Sequence, residues 1–307
     1  MCHPAGGILQ LMHVTETRCA VVSRDLDEDP AGTAPTALSW LCLEQPGPWG
    51  PKPIGDSHLD PGVAAELTAK AEGTGVRIVL IRRPGSHADT GRPVPRQVYL
   101  ASTRPTASWL ESAVLTDPKQ LLDLDFAAAG AGEPLGFGQR TTRPLLLVCT
   151  NGRRDVCCAL FGRPAARELA AEFPRQVWET THLGGHRFAP TALQLPSGYL
   201  YGRLETATGR ILLASAGAGQ MVHEGCRGRS CFSRADQAAE LAVRRHTGEV
   251  DLDAVVSSAN GVVGHRDGRR WRVQLTERQC PPARPSGCGK PAAVPNGFVV
   301  DALEPLR

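Results

Sequence analysis

The chain has 307 residues, 41% of them apolar and 21% charged, with a formal net charge of +3. That length predicts about two domains with substantial cores. So small a charge, arginines that form no single basic tract, and only 5% aromatic residues argue against a nucleic-acid surface.

In chain order, residues 37–43 (ALSWLCL) are a short apolar run, expected as a buried strand. EQPGPWGPKP after it is loop chemistry, with Trp49 read as a structural plug and a partner-docking loop as the alternative. A helix is expected over residues 61–71, with Asp60 as N-cap and Pro61 at its first position. Strands are expected over residues 76–81, 97–101 and 107–114. A helix then opens at Asp117-Pro118 and runs to about residue 124.

The second half repeats the order. Residues 144–149 (PLLLVC) read as a buried strand, 158–173 as a helix ended by Pro174, and 177–181 as a strand. Residues 191–195 and 199–204 flank Pro196-Ser197-Gly198, a hairpin signal. A helix over 233–246 has Ser233 as its cap and Gly248 near its end. Residues 255–280 read as a final hairpin turning at Arg266-Asp267-Gly268, and the Pro/Gly-rich tail after it as irregular.

Strand, helix, strand, two strands, helix, read twice, is the element order of a thioredoxin-like fold. The expected class is therefore α/β with two thioredoxin-like halves. Residues 1–135 form the half without ligands, 136–250 the half that carries the site, and 251–307 a hairpin and tail packed on the second half.

No apolar run approaches the ~18 residues that span a bilayer, and the first residues lack the pattern of a signal peptide. A cytoplasmic location without membrane contact is expected. In a reducing compartment the ten cysteines read as metal ligands, catalytic groups or buried thiols rather than disulfides.

PLLLVCTNGRRDVCCALFGRP places Cys149 at the end of a strand and Cys157-Cys158 at the start of a helix. ETTHLGGHRFAP places His182 and His186 after the next strand. The carboxyl ends of two parallel strands joined by a helix lie at one sheet edge, so Cys149, Cys158, His182 and His186 should converge there. Two thiolates and two imidazoles make a four-ligand metal site. Eight residues between the cysteines is wider than the usual zinc pair, and iron–sulfur clusters accept such spacings, with histidines able to replace two cysteines. Gly184 and Gly185 allow a tight turn that brings both imidazoles together.

Cys149…Arg154-Asp155-x-x-Cys158 followed by His182-x-x-x-His186 resembles the sucrase/ferredoxin-like family. AGTAPTALSWLCLEQPGPWG and the late SGCGKP are similar to its bacterial members. The resemblance implies a thioredoxin-like ferredoxin whose [2Fe-2S] cluster is held by Cys149, Cys158, His182 and His186. Cys157 departs from the family pattern and leaves a choice between neighbours; Cys158 keeps the family's spacing. With two ferric ions, two sulfides and two thiolates the oxidised centre is neutral, so its potential should lie above the about −400 mV of all-cysteine plant-type ferredoxins. Arg153, Arg154 and Arg187 flank the ligands and could stabilise the reduced form.

The remaining candidates have plainer readings. Cys157 reads as a small buried hydrophobe, and Cys2, Cys19 and Cys42 as buried or free thiols, with a second metal site as the alternative. Cys226 and Cys231 fall in a loop before a capped helix, with Arg227-Gly228-Arg229-Ser230 as a solvated turn and an anion site as the alternative. Cys280 and Cys288 read as packing residues, with a labile disulfide or a second metal as alternatives. No paired-carboxylate motif marks a glycosidase. The expected function is an electron carrier or redox sensor, rather than an enzyme, serving an unidentified redox partner protein. A structural zinc interaction protein and a thiol-disulfide oxidoreductase are the alternatives; the absence of C-x-x-C weakens the latter.

Overall fold

The computed structural model describes residues 18–85 and 94–306; Cys2 lies outside them. The first half begins with helix α1 (Cys19–Asp25), strand β1 (Ser39–Glu44), the short helix α2 (Pro53–Asp56) and helix α3 (Pro61–Ala71). Asp60 caps α3 by accepting the Val63 N–H at 3.0 Å. Strands β2 (Val76–Arg82), β3 (Arg96–Ser102) and β4 (Trp109–Leu115) follow. The helix expected at Asp117 is a 3-10 turn, Pro118–Asp123, continued by helix α4 (Phe126–Ala131) and the two-residue strand β5 (Gln139–Arg140).

The second half runs β6 (Leu145–Cys149), α5 (Val156–Glu172), β7 (Val177–Thr180), a 3-10 turn over His186–Phe188, β8 (Ala192–Leu195), β9 (Tyr199–Tyr201), α6 (Thr206–Gly217), β10 (Cys226–Arg229) and α7 (Arg234–Thr247). Ser233 caps α7 and Gly248 closes it in the left-handed conformation.

Strands β1 to β10 form a single mixed sheet in the order β10-β9-β8-β6-β7-β2-β1-β3-β4-β5. Its two halves share one topology. β1 pairs parallel with β2 and antiparallel with β3, as β6 does with β7 and β8, and each half adds a fourth antiparallel strand. The duplication expected from element order is thus present as strand order. The halves meet where β2 and β7 pair antiparallel, Ile81 opposite Thr180 and Arg82 opposite Glu179. Arg82 and Glu179 are both buried there and form an ion pair at 2.8 Å.

One face of the sheet carries a core continuous across the seam. It joins Trp40, Ile81 and Tyr99 to Leu147, Trp178 and Leu193, and includes Cys19, Cys149, Cys157 and Cys158. Trp49 is buried in the first-half core on the other face, stacked by Arg82, and so plugs that core.

Two segments differ from the sequence expectation. CRGR is neither loop nor solvated turn: it is the edge strand β10, with Arg227 and Arg229 fully buried. Their guanidinium groups are satisfied by backbone carbonyls that only the folded chain supplies, Gly184 for Arg227 and Thr103 and Leu252 for Arg229. The C-terminal segment exceeds a hairpin and irregular tail. Strands β11 (Val255–Ala259), β12 (Val262–His265) and β13 (Arg270–Gln279) are joined in a four-stranded sheet by the last strand. Short strands β14 (Arg284–Pro285) and β15 (Ala292–Ala293) precede that last strand, β16 (Asn296–Leu306), which pairs along β13. Asn260-Gly261, both at positive φ, make the tight β11–β12 turn.

Candidate metal centre

Cys149 is the last residue of β6 and is fully buried; Cys158 lies in the first turn of α5 and is 1% exposed. The connection between them is the Thr150–Arg154 turn, and Asp155 caps α5 by accepting the Cys157 N–H at 2.9 Å. Helix and strand come close at Gly162, where a Cβ would collide with the Cys149 carbonyl. This packing holds the two thiols together at the sheet edge.

The histidines arrive from β7. Gly184 and Gly185 both have positive φ, 74° and 68°, a conformation glycine adopts without steric cost. The turn folds His182 and His186 back on each other, their rings stacked with centroids 4.2 Å apart. Arg227 supports the turn from beneath, donating to the Gly184 carbonyl at 3.1 Å. From the first half, Arg77 donates to the His182 carbonyl at 3.3 Å.

Cys158 Sγ lies 3.6 Å from His186 Nδ1. Hydrogen bonds from Cys158, His182 and the Asn151 N–H push Cys149 well below the ordinary thiol pKa, while Cys158, the donor to Cys149, is pushed well above it. Burial, with His182 beside it, lowers His186 to about 4, so the imidazole is neutral near pH 7 and its lone pair is free for a metal. Burial also lowers Arg227 to about 9, which leaves its guanidinium charged near the Cys149 and Cys158 thiols.

Cys149, Cys158, His182 and His186 are thus brought together as their spacing suggested. Asp155, Cys158 and His186 form the compact part, with donor atoms within 4.8 Å of one another; Cys149 hydrogen-bonds to Cys158 and His182, and His182 stacks on His186. The two thiols are buried and the two imidazoles half-buried.

A second cluster adjoins it. Cys157 turns away from Cys158 and meets Cys19 from the start of α1 and Cys288 from the tail. The Cys157–Cys288, Cys288–Cys19 and Cys19–Cys157 sulfur separations are 3.2, 3.6 and 3.9 Å. Hydrogen bonding from Cys19, with help from Ala20 and Cys288, lowers Cys157 to about 6. The sequence favoured packing or free-thiol roles for these three cysteines, with a second metal only as an alternative for Cys19 and Cys288, and did not bring them together. The one available signal was the SGCGKP tail, whose Gly287 packs against Asp155 and His186.

Of the flanking arginines, Arg187 is held by Glu28 at 2.9 Å, and Glu28 also binds Arg284 at 2.9 Å. Arg153 and Arg154 are exposed and, with Lys290, rim a cleft that reaches His186, Asp155 and Cys288. No described helix is long and apolar enough to cross a membrane.

A family model described as sucrase/ferredoxin-like matches residues 30–228, more than half of the chain. The chain belongs to the sucrase/ferredoxin-like family. The matched region contains all four residues of the first set, together with Asp155 and Cys157; Cys19 and Cys288 lie outside it. No curated protein and no solved structure matches the chain.

Proposed function

We propose that this member of the sucrase/ferredoxin-like family binds a [2Fe-2S] cluster through Cys149, Cys158, His182 and His186 and exchanges electrons with a partner protein. The observation that carries this reading is the meeting of two buried thiols and two stacked imidazoles at one sheet edge. When bound, such a cluster supplies reversible one-electron chemistry.

The chain's own residues serve that chemistry in four ways. Cys149 is poised as thiolate and His186 as neutral imidazole, the forms that ligate metal. Buried Arg227 offsets the negative charge of the thiolates and of an added electron. The Asn151 N–H aimed at Cys149 acts in the same direction. The sheet core and Trp178 exclude water from the thiol side, while the cleft beside His186 leaves one approach, rimmed by Arg153, Arg154 and Lys290. Positive charge there favours a partner with an acidic docking face. The strand order of each half is the one a thioredoxin-like half requires, which supports that description of the fold.

The test is anaerobic purification with iron, sulfide and zinc analysis. A red-brown protein with two irons and two sulfides per chain, bleached by dithionite, is expected. Iron-free, colourless protein from iron-replete cells, even after reconstitution with iron and sulfide, overturns the reading.

A further inference from the structure

We propose that Cys19, Cys157 and Cys288, with the Asp155 carboxylate, form a second site, adjoining the first at Asp155, that binds one mononuclear thiophilic divalent cation, namely zinc. The proposal does not depend on what occupies the neighbouring Cys149 set.

Geometry is the first support. The three sulfurs form a triangle with edges of 3.2, 3.6 and 3.9 Å. Thiolates bound tetrahedrally at the zinc–sulfur distance of ~2.3 Å stand about 3.8 Å apart. Thiolates on different irons of a cluster are held farther apart by the metal–metal separation, so this triangle suits one ion. The Asp155 oxygens lie 3.8 and 3.7 Å from Cys19 Sγ, and all four donors fall within 4.8 Å of one another. Three sulfurs and one oxygen complete a four-coordinate set.

The second support is how the site is held. Asp155 accepts the Cys157 N–H through Oδ1 at 2.9 Å and the Cys288 N–H through Oδ2 at 2.7 Å. One carboxylate therefore fixes the backbone of two of the three cysteines, the kind of outer support that metal sites need. Cys19 and Cys157 are fully buried, while Cys288 is partly open beside a cleft lined by Arg18, Val22, Val156 and Lys290, which gives an ion a way in.

The third support is number and origin. The cysteines come from α1, α5 and the tail, and all three are free thiols. Three thiols cannot all pair as disulfides, but three can ligate one ion. Bound zinc would tie α1 and the segment between β14 and β15 to the helix that carries Cys158. Zinc has no accessible redox states, so it would not compete for electrons beside a redox centre.

The experiment uses the full chain, reduced and metal-free, titrated with zinc alone against a chromophoric chelator. Each of Cys19→Ser and Cys288→Ser should bind one zinc equivalent fewer than wild type. Protein isolated from cells should carry one zinc per chain, lost in both variants, with iron content and visible absorption unchanged. Cys149→Ser should keep that zinc. Because Cys19→Ser could misfold, the unaltered protein is also alkylated with and without zinc, and Cys19, Cys157 and Cys288 should be protected together. Equal zinc binding by wild type and both variants, or no zinc-dependent protection, overturns the proposal. So does iron loss in Cys288→Ser, which would assign these thiols to the iron centre.

Discussion

Cys157 and Cys158 are neighbours in the chain, yet their sulfurs serve different clusters: Cys157 lies 3.2 Å from Cys288, and Cys158 lies 3.6 Å from His186 Nδ1. Both sit at the N-terminus of α5, where successive side chains point in directions about a quarter-turn apart. The two serine substitutions should therefore separate. Cys158→Ser is expected to abolish the visible chromophore of anaerobically purified protein, and Cys157→Ser to retain it. Loss of colour in both would show that the neighbours serve one centre.

The histidine turn should discriminate sharply between its two glycines. An alanine Cβ at Gly185 would run into the Arg227 guanidinium, whereas at Gly184 the nearest such atom is 3.9 Å away. Gly184→Ala should cost only the left-handed backbone penalty, about 1–2 kcal/mol. Gly185→Ala should cost clearly more and lower the iron content as well. Urea denaturation midpoints and iron analysis of the two proteins check this; equal losses would show that Arg227 does not brace the turn.

Acid should weaken the metal-free protein in a defined window. His186 is lowered to about 4 in the folded chain from the ordinary 6.5. Below pH 6.5 the unfolded chain therefore takes up a proton that the folded chain refuses. Stability contributed by His186 is present above 6.5, is lost as the pH falls toward about 4, and changes no further below that. Denaturant midpoints measured across this range should show the slope, and His186→Gln should flatten it.

Glu28 ties the tail and the His186 turn to the segment after α1. It accepts from Arg187, Arg284 and Ser23. Burial works to raise its pKa, but Arg284 and Arg187 hold it below the usual carboxylate range. Glu28→Ala leaves the buried Arg284 without its counter-charge, a loss of about 3 kcal/mol for pairs of this kind. Faster elastase cleavage between Ala292 and Ala293, with a lowered unfolding midpoint, is the expected result. Unchanged cleavage would show that the tail is held elsewhere.

Where the sequence was legible, the determining chemistry was local. Asp60-Pro61 announced α3, Ser233 and Gly248 bracketed α7, and a strand-helix-strand run placed Cys149 and Cys158 near His182 and His186. Where it was not, the cause lay elsewhere in the chain. CRGR looks like solvated polar sequence until the carbonyls of Gly184, Thr103 and Leu252 bury its arginines. TATGRILLASAG gave no clear helical stripe because α6 buries only Gly209, Leu212 and Leu213. The three-thiol cluster joins residues 131 and more positions apart except for Asp155 and Cys157, so no spacing rule could reveal it.

The β2–β7 seam has a practical meaning for anyone wishing to excise the cysteine- and histidine-bearing half. Arg82 meets Glu179 there, Leu80 receives the Thr180 hydroxyl and gives its N–H to Thr181, and Arg77 reaches the carbonyl of His182. The half that contributes none of Cys149, Cys158, His182 and His186 is thus one wall of their chamber. A fragment starting near residue 136 would expose Trp178 along a raw strand edge and leave Glu179 facing water. The smallest portable unit that carries this cysteine and histidine site is both halves together.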